Sequence, residues 1–320
     1  MIKLGIVGTN FVSSWLADAA RELGVTLFAV YSRSEKTGNA FKEAESVGAV
    51  YTDFDAFLHS GIEAVYIASP TYCHFTMAKA ALSAGLHMLL EKPMVAHKRE
   101  FDELCALAEE KGLVLLEAMR PLHDPAFSLV KKAMGEIGKV RRASFEFCQY
   151  SSRYDAYRSG TVLNAFDPKV SGAALLDIGI YPLSWAVALF GTPDTVVGKA
   201  SFLDNGFEGG GVILLGYGDC QVSVTYSKLC SSVTESAIIG EAGAVTIDKM
   251  TAPTKITLHP RGKDGAALAY VAPRNNLVCE LSDFVSLCQS GRDNPYLSYS
   301  RVLYETLERV YEALGLTVLI

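Results

Sequence analysis

No stretch of the 320-residue chain approaches the roughly 20 consecutive apolar residues of a membrane-spanning helix. The opening MIKLGIVG has neither the apolar core nor the cleavage site of a signal peptide. The seven cysteines are scattered without one CxxC pair, which argues against a disulfide framework and fits reduced thiols in the cytoplasm. The six histidines form no HExxH and no other close ligand set, so no metal is expected. Gly, Lys and Ser never combine into a Walker A loop, and no GxSxG nucleophile turn occurs. Positive charge is in deficit, with a formal net charge of -6. That balance argues against nucleic acid or an anionic membrane surface as partner. Internal repeats and low-complexity tracts are also missing.

What is present is a chain long enough for two domains, with half its residues hydrophobic and 20% charged. The first part alternates strand and helix. Strands are predicted over 2–7, 26–31, 50–51, 64–68 and 114–119, and within the stretch 87–93, with Lys92 at the carboxyl end. Helices are predicted over 15–23, 36–46, 54–59, 75–84 and 98–111. Such alternation implies a Rossmann-type, doubly wound parallel sheet. Ligands bind outside the carboxyl ends of the strands in such a sheet. Those ends bring Gly8, Arg33, Pro70, Lys92 and Arg120 to one edge.

The turn after the first strand reads Gly8-Thr9-Asn10-Phe11-Val12-Ser13. A dinucleotide fingerprint, GxGxxG, belongs in this context, yet only Gly8 matches. Asn10 and Ser13 fill the other two positions; Asn tolerates left-handed backbone, and Ser is small enough for close helix packing. The pyrophosphate of a dinucleotide can still rest on the helix N-terminus. The second strand ends in Ser32-Arg33-Ser34, with Lys36 close behind and no acid at the strand end. Hydroxyls and a guanidinium suit a ribose 2′-phosphate, so NADP(H) is expected over NAD(H). The plainer alternative is a polar turn into a helix, and Glu35 stands nearby.

Met88-Leu89-Leu90 reads as a buried strand that stops at Glu91-Lys92-Pro93. Alone, Lys92 is more often a surface lysine beside Glu91. At a ligand edge it becomes a proton donor or electrostatic clamp. Cys73, near the loop at Ser69-Pro70, is the one thiol close to this edge.

The pattern changes near residue 124. A helix over 126–134 precedes a long strand, 140–150, and a polar loop, 151–171, carries Tyr154, Tyr157 and Phe166. Within the mostly apolar stretch 172–190, Asp177 and Tyr181 stand four apart and share one helical face. They are either a cap and a packed ring or a pair that orients a hydroxyl and moves its proton. Strands follow over 195–203, 211–217, 221–227, 236–240, 244–247 and 255–259, then helices over 276–290 and 298–314. The Gly209-Gly210-Gly211 run reads as a turn or bulge rather than a phosphate loop. The second domain is therefore α+β, with a large, mostly antiparallel open sheet. The division is 1–122 and 123–320, with the C-terminal helix free to pack back on the first domain.

Strand-GTNFVS, then SPTYCH, then EKP, in this register, resembles the Gfo/Idh/MocA family (glucose-fructose oxidoreductase, inositol dehydrogenase, rhizopine catabolism). Glu117 to Arg120, with His123 to Pro125, resembles the family's exit from its first domain. DIGIYP at 177–182 resembles the branch of glucose-fructose oxidoreductase and dihydrodiol dehydrogenase. Inositol dehydrogenases carry His where Tyr181 stands, which points away from an inositol. The resemblance implies a nicotinamide cofactor on the first domain, with the loop at Ser69, Pro70 and His74 near the nicotinamide. Gly8, Thr9, Asn10, Phe11, Ser32, Arg33, Glu91, Lys92 and Arg120 complete the expected cofactor site. Lys92, Tyr181 and Asp177 are the expected catalytic set. Lys92 and Tyr181 both qualify for proton transfer, and Asp177 positions either substrate or Lys92. These groups are expected to meet beside the nicotinamide. The expected activity is an NADP(H)-dependent dehydrogenase or reductase acting on a sugar, polyol or diol, in a cytoplasmic homodimer or dimer of dimers. A glycosidase cycling tightly bound NAD, and a non-catalytic dinucleotide sensor, are the rival readings.

Overall fold

A computed structural model describes residues 2–170, 172–291 and 294–320. Ser171, the end of the predicted polar loop, lies outside the described residues. In chain order the elements are β1 (Lys3–Val7), α1 (Phe11–Leu23), β2 (Thr26–Tyr31), α2 (Glu35–Glu45), β3 (Ala49–Tyr51), α3 (Phe54–Leu58), β4 (Ala64–Ile67), α4 (His74–Ser83), β5 (His87–Glu91), α5 (Lys98–Lys111) and β6 (Leu115–Ala118). There follow α6 (Arg120–His123), α7 (Pro125–Ala133), β7 (Val140–Cys148), α8 (Tyr154–Arg158), α9 (Ile180–Phe190), β8 (Thr195–Phe202), β9 (Glu208–Tyr217) and β10 (Cys220–Ser227). The chain closes with β11 (Ser236–Gly240), β12 (Gly243–Ile247), β13 (Ile256–Pro260), β14 (Ala266–Ala267), α10 (Leu277–Ser290) and α11 (Pro295–Leu314).

Two compact units result. The first runs up to Val95 and includes Arg99–Arg120 and Pro273–Leu297. The second comprises Ala96–Lys98, Pro121–Ala272 and Ser298–Ile320. Where the sequence divides once, between 122 and 123, the chain returns to the first unit at 273. It is α10 that returns. Its Leu277, Leu281 and Phe284 pack in one buried cluster with Leu16, Ala17 and Ala20 of α1, and α11 belongs to the second unit.

The first unit is a six-stranded parallel sheet in the order β3-β2-β1-β4-β5-β6. Strands β4, β5 and β6 are near-continuous apolar runs because helices cover both of their faces. The strand order reverses between β1 and β4, and the crevice at such a point binds ligands.

The second unit holds an eight-stranded sheet, β14-β13-β12-β11-β7-β10-β9-β8, antiparallel except where β10 pairs parallel with β7. One face carries Phe145, Ile213, Leu215, Val222, Val224 and Tyr226, all buried. Helix α9, buried along nearly its whole length, packs on this face against β7 and β10. The alternate residues Val197, Val212, Leu214 and Ile239 point the other way and are exposed. The glycine run lies within β9, where the pairing with β8 slips between Ser201 and Phe202. Gly209 is the extra residue of this bulge, which turns Glu208 inward. The edge strand β14 is two residues long and gives no periodic signal in the sequence.

Candidate active site

At the carboxyl end of β1, Gly8 adopts φ +100, and a Cβ there would lie 2.9 Å from the Ala68 carbonyl oxygen. Only glycine lets the turn approach β4 this closely. Asn10 departs from its expected role: it is extended at φ -86 rather than left-handed. Its Oδ1 accepts from the backbone N–H of Val12 and Ser13, 3.0 Å each, and its Nδ2 donates to Ala68 O at 2.8 Å. Asn10 is thus the N-cap of α1 and ties the turn to β4. Ser13 is fully buried, as close packing of α1 requires. Phe11 and Trp15 stand exposed with their rings 5.3 Å apart, and the Arg120 guanidinium lies 5.8 Å from the Trp15 ring.

The Ser32 hydroxyl turns inward. It meets Thr37 Oγ1 at 2.7 Å and donates to Ser34 O at 3.0 Å. It therefore shapes the turn, with Ser34 capping α2, while Arg33 and Lys36 remain exposed at the end of β2. The glycine cradle, the capped helix start and an exposed guanidinium one strand away fit a dinucleotide, and would hold it if it bound here. Those residues are Gly8, Thr9, Asn10, Phe11 and Arg33.

Lys92 directly follows β5, and its peptide with Pro93 is cis. Three side chains fix this turn from neighbouring elements. The Tyr66 hydroxyl of β4 donates to Glu91 Oε1 at 2.5 Å, while Glu91 Oε2 accepts from Lys92 N–H at 3.2 Å. Glu117 of β6 accepts from Met94 N–H at 2.9 Å. His74, at the start of α4, places Nδ1 2.9 Å from Pro93 O and Nε2 2.8 Å from Ser69 O. His74 therefore braces the loop at Ser69 and Pro70 against the Lys92 turn. Burial pulls its imidazole below the usual pKa, opposed by the carbonyls and helped by Lys92. Burial raises the Glu91 carboxyl, against Tyr66, Lys92 and Arg120. Beneath lies Glu280 of α10, 1% exposed, with neither carboxyl oxygen hydrogen-bonded. Burial, and then Glu91 as a like-charge neighbour, push it well above the ordinary carboxylate range, with Arg120 opposing.

In the second unit, Asp177 sits within a π-turn, Leu175–Gly179, that leads into α9. Such turns are frequent at functional sites. Gly179 allows the turn to lie on Tyr226, whose ring a Cβ would meet at 2.8 Å. Tyr181, one residue into α9, is buried with its ring 6.0 Å from Phe147. Two further residues hold the turn. The buried Glu208 accepts from Leu175 N–H at 2.9 Å, and burial pushes its carboxyl up to about 7. Lys228 is 4% exposed, and its Nζ lies 2.8 Å from Asp177 Oδ2. It also donates to Ala165 O at 2.8 Å and stands 4.9 and 5.4 Å from the Phe166 and Phe207 ring centres. Sequence reading misses both. The inward parity of Val222, Val224 and Tyr226, continued one step, would have found Lys228; only the bulge reveals Glu208. Among the described residues, no three His, Cys, Asp or Glu side chains gather as a metal site.

Comparison with known proteins agrees with this architecture. The profile described as the oxidoreductase family with an NAD-binding Rossmann fold matches residues 2–119, and that of the GFO/IDH/MocA C-terminal domain matches 131–246. An uncharacterised oxidoreductase of Escherichia coli is 37% identical over 98% of this chain and 97% of its own length. The scyllo-inositol 2-dehydrogenase (NADP(+)) of Bacillus subtilis is 36% identical over 91% of this chain and 90% of its own. A 3-ketoreductase from Actinomadura kijaniata, solved with NADP and TDP-benzene, superposes with a TM-score of 0.86. It covers 98% of both chains at 22% identity. By family and fold, the chain is an NAD(P)-dependent oxidoreductase and belongs to the Gfo/Idh/MocA family.

Proposed function

We propose that the protein is an NADP(H)-dependent oxidoreductase acting on a hydroxyl or carbonyl carbon of a sugar, polyol or diol. The observation that carries this is Lys92 at the end of β5, in a sheet whose reversal point holds the Gly8 turn. The bound nicotinamide supplies or takes the hydride. Gly8 to Phe11 receive the pyrophosphate at the start of α1, and Arg33 takes the ribose 2′-phosphate as a charge-assisted donor. Tyr66, Glu117 and His74 hold the Lys92 turn still. Lys92 and Tyr181 handle the substrate hydroxyl proton, and Asp177 orients the substrate. NADP in the name of the Bacillus subtilis relative supports the cofactor preference. That relative also returns cyclitols to the substrates worth testing, although Tyr181 stands where inositol dehydrogenases carry His. We place the protein in the cytoplasm, on its scattered free cysteines, and among the described residues no helix is long and apolar enough to cross a membrane. The exposed apolar residues of the eight-stranded sheet favour a homodimer through that face.

Paired variants test the catalytic assignment. Lys92→Ala is expected to lower turnover by about 10²–10⁴, as when a positioned proton-transfer group is lost. Fluorescence titration should show cofactor affinity little changed, because the phosphates bind elsewhere. Tyr181→Phe keeps the ring against Phe147 and removes only the hydroxyl. Normal turnover there makes Tyr181 structural and leaves Lys92 as the acid/base. Normal turnover of folded Lys92→Ala removes the assignment altogether.

A further inference from the structure

We propose that Lys228 is a positioning residue for Asp177, holding its carboxylate as a fixed anionic acceptor for a substrate hydroxyl. This rests on the reading of Asp177 as a substrate-facing group. The geometry divides the pair into two unlike halves. The Asp177 side chain is 45% exposed, whereas that of Lys228 is 5% exposed. Water reaches the carboxylate and hardly reaches the ammonium.

The ammonium is held from several sides. The Ala165 carbonyl accepts one of its hydrogens, Asp177 Oδ2 faces it at 2.8 Å, and the rings of Phe166 and Phe207 flank it. Both rings are fully buried. A cation beside two aromatic faces is stabilised by their quadrupoles, and a low dielectric strengthens its attraction for Asp177. Ala165 and Phe166 belong to the polar loop, Phe207 to the β8–β9 turn and Asp177 to the π-turn. One ammonium therefore registers three segments around one carboxylate. Glu208 from β9 and Tyr226 from β10 are ionisable groups that also pack beneath the same turn. A carboxylate kept ionised by a buried neighbour accepts hydrogen bonds and gives none. Asp177 then selects substrates that present a hydroxyl donor next to the reacting carbon, as sugars, polyols and vicinal diols do.

The test compares Asp177→Asn, Lys228→Met, Lys228→Arg and the double variant Asp177→Asn/Lys228→Met with wild type. Methionine keeps the unbranched stem beside the two rings and removes the buried ammonium, and the Asp177 carboxylate it leaves unpaired from Lys228 is 45% exposed rather than buried. The double variant keeps the comparison readable where Asp177→Asn alone strands the buried ammonium. The first readout is the titration of the Asp177 carboxyl by ¹³C NMR, its signal identified by loss in Asp177→Asn. The second is kcat/KM for scyllo-inositol, D-glucose, D-xylose and trans-1,2-dihydrobenzene-1,2-diol with NADP⁺. In Lys228→Met the Asp177 midpoint should rise by about one unit or more, and kcat/KM should fall about tenfold to a hundredfold. That fall should vanish when Asp177 is already Asn, because Lys228 acts through Asp177, and Lys228→Arg should restore most of it. An unmoved Asp177 titration, or a loss that adds in full to that of Asp177→Asn, makes Lys228 a packing tie and overturns the proposal. Wild-type turnover in Asp177→Asn overturns the site assignment itself, and this role with it. A loss in Asp177→Asn with an unmoved titration overturns only the role of Lys228.

Discussion

Arg33 and Ser32 stand side by side at the end of β2, and the fold gives them opposite tasks. Ser32 spends its hydroxyl on Thr37 and Ser34, while Arg33 projects into solvent. On the proposed cofactor reading, discrimination between NADP(H) and NAD(H) is assigned to Arg33. Arg33→Ala should weaken NADPH binding by about 1.5–3 kcal/mol, the value of a charge-assisted hydrogen bond, and leave NADH nearly unchanged. Equal affinities of the wild type for the two cofactors in a fluorescence titration would refute this assignment. Single residues were legible in their structural place when their neighbours in sequence set it, as with Gly8 closing β1 and Lys92 following β5 before Pro93. They were illegible when the meaning lay in a distant partner. Tyr66 reaches Glu91 from 25 residues away, and Glu280 becomes a buried acid only because α10 folds back into the first unit.

Among elements, the π-turn and its supports show how a strand controls a helix. Glu208 holds Leu175 N–H from a bulged strand, at the cost of burying a carboxyl. Its pKa rises from the usual 4.5 to about 7. Between those values the folded state keeps a proton that the unfolded chain has released, so stability falls as pH rises from 4.5 towards 7. Above 7 the full penalty persists. Glu208→Gln retains an oxygen for Leu175 N–H and does not titrate. At pH 8 it should be more stable than wild type by up to about 3 kcal/mol, with little gain near pH 4.5. Denaturant unfolding at both pH values measures this, and a gain independent of pH would contradict it. The strands and helices of the first unit were readable because each strand is a short apolar run bounded by a turn. The π-turn was not, since periodicity alone cannot separate it from one more turn of α-helix. Asn10 was read as a tolerant substitute for glycine; the cap became visible only with Ala68 in place opposite it.

For the whole molecule, the two folds were legible from the order of elements: alternation for the parallel sheet, then consecutive strands for the open one. The return of α10 was not, because a helix of ordinary amphipathic pattern does not state which core it completes. The open sheet face makes a prediction of its own. Val197, Val212, Leu214 and Ile239 should be covered by a second copy, so light scattering at micromolar concentration should report at least a dimer. A monomer would contradict this. The central claim is net hydride transfer with a nicotinamide cofactor on a hydroxyl-bearing small molecule. It is tested most directly by the absorbance of reduced cofactor during incubation with a panel of sugars, cyclitols, polyols and diols, with NADP⁺ and NAD⁺ in parallel. The account predicts many turnovers with at least one of these substrates, reduced cofactor accumulating one for one with oxidised product, and faster with NADP⁺. Cleavage of a glycoside without net cofactor reduction, or cofactor binding with no turnover of any panel member in either direction, would contradict it.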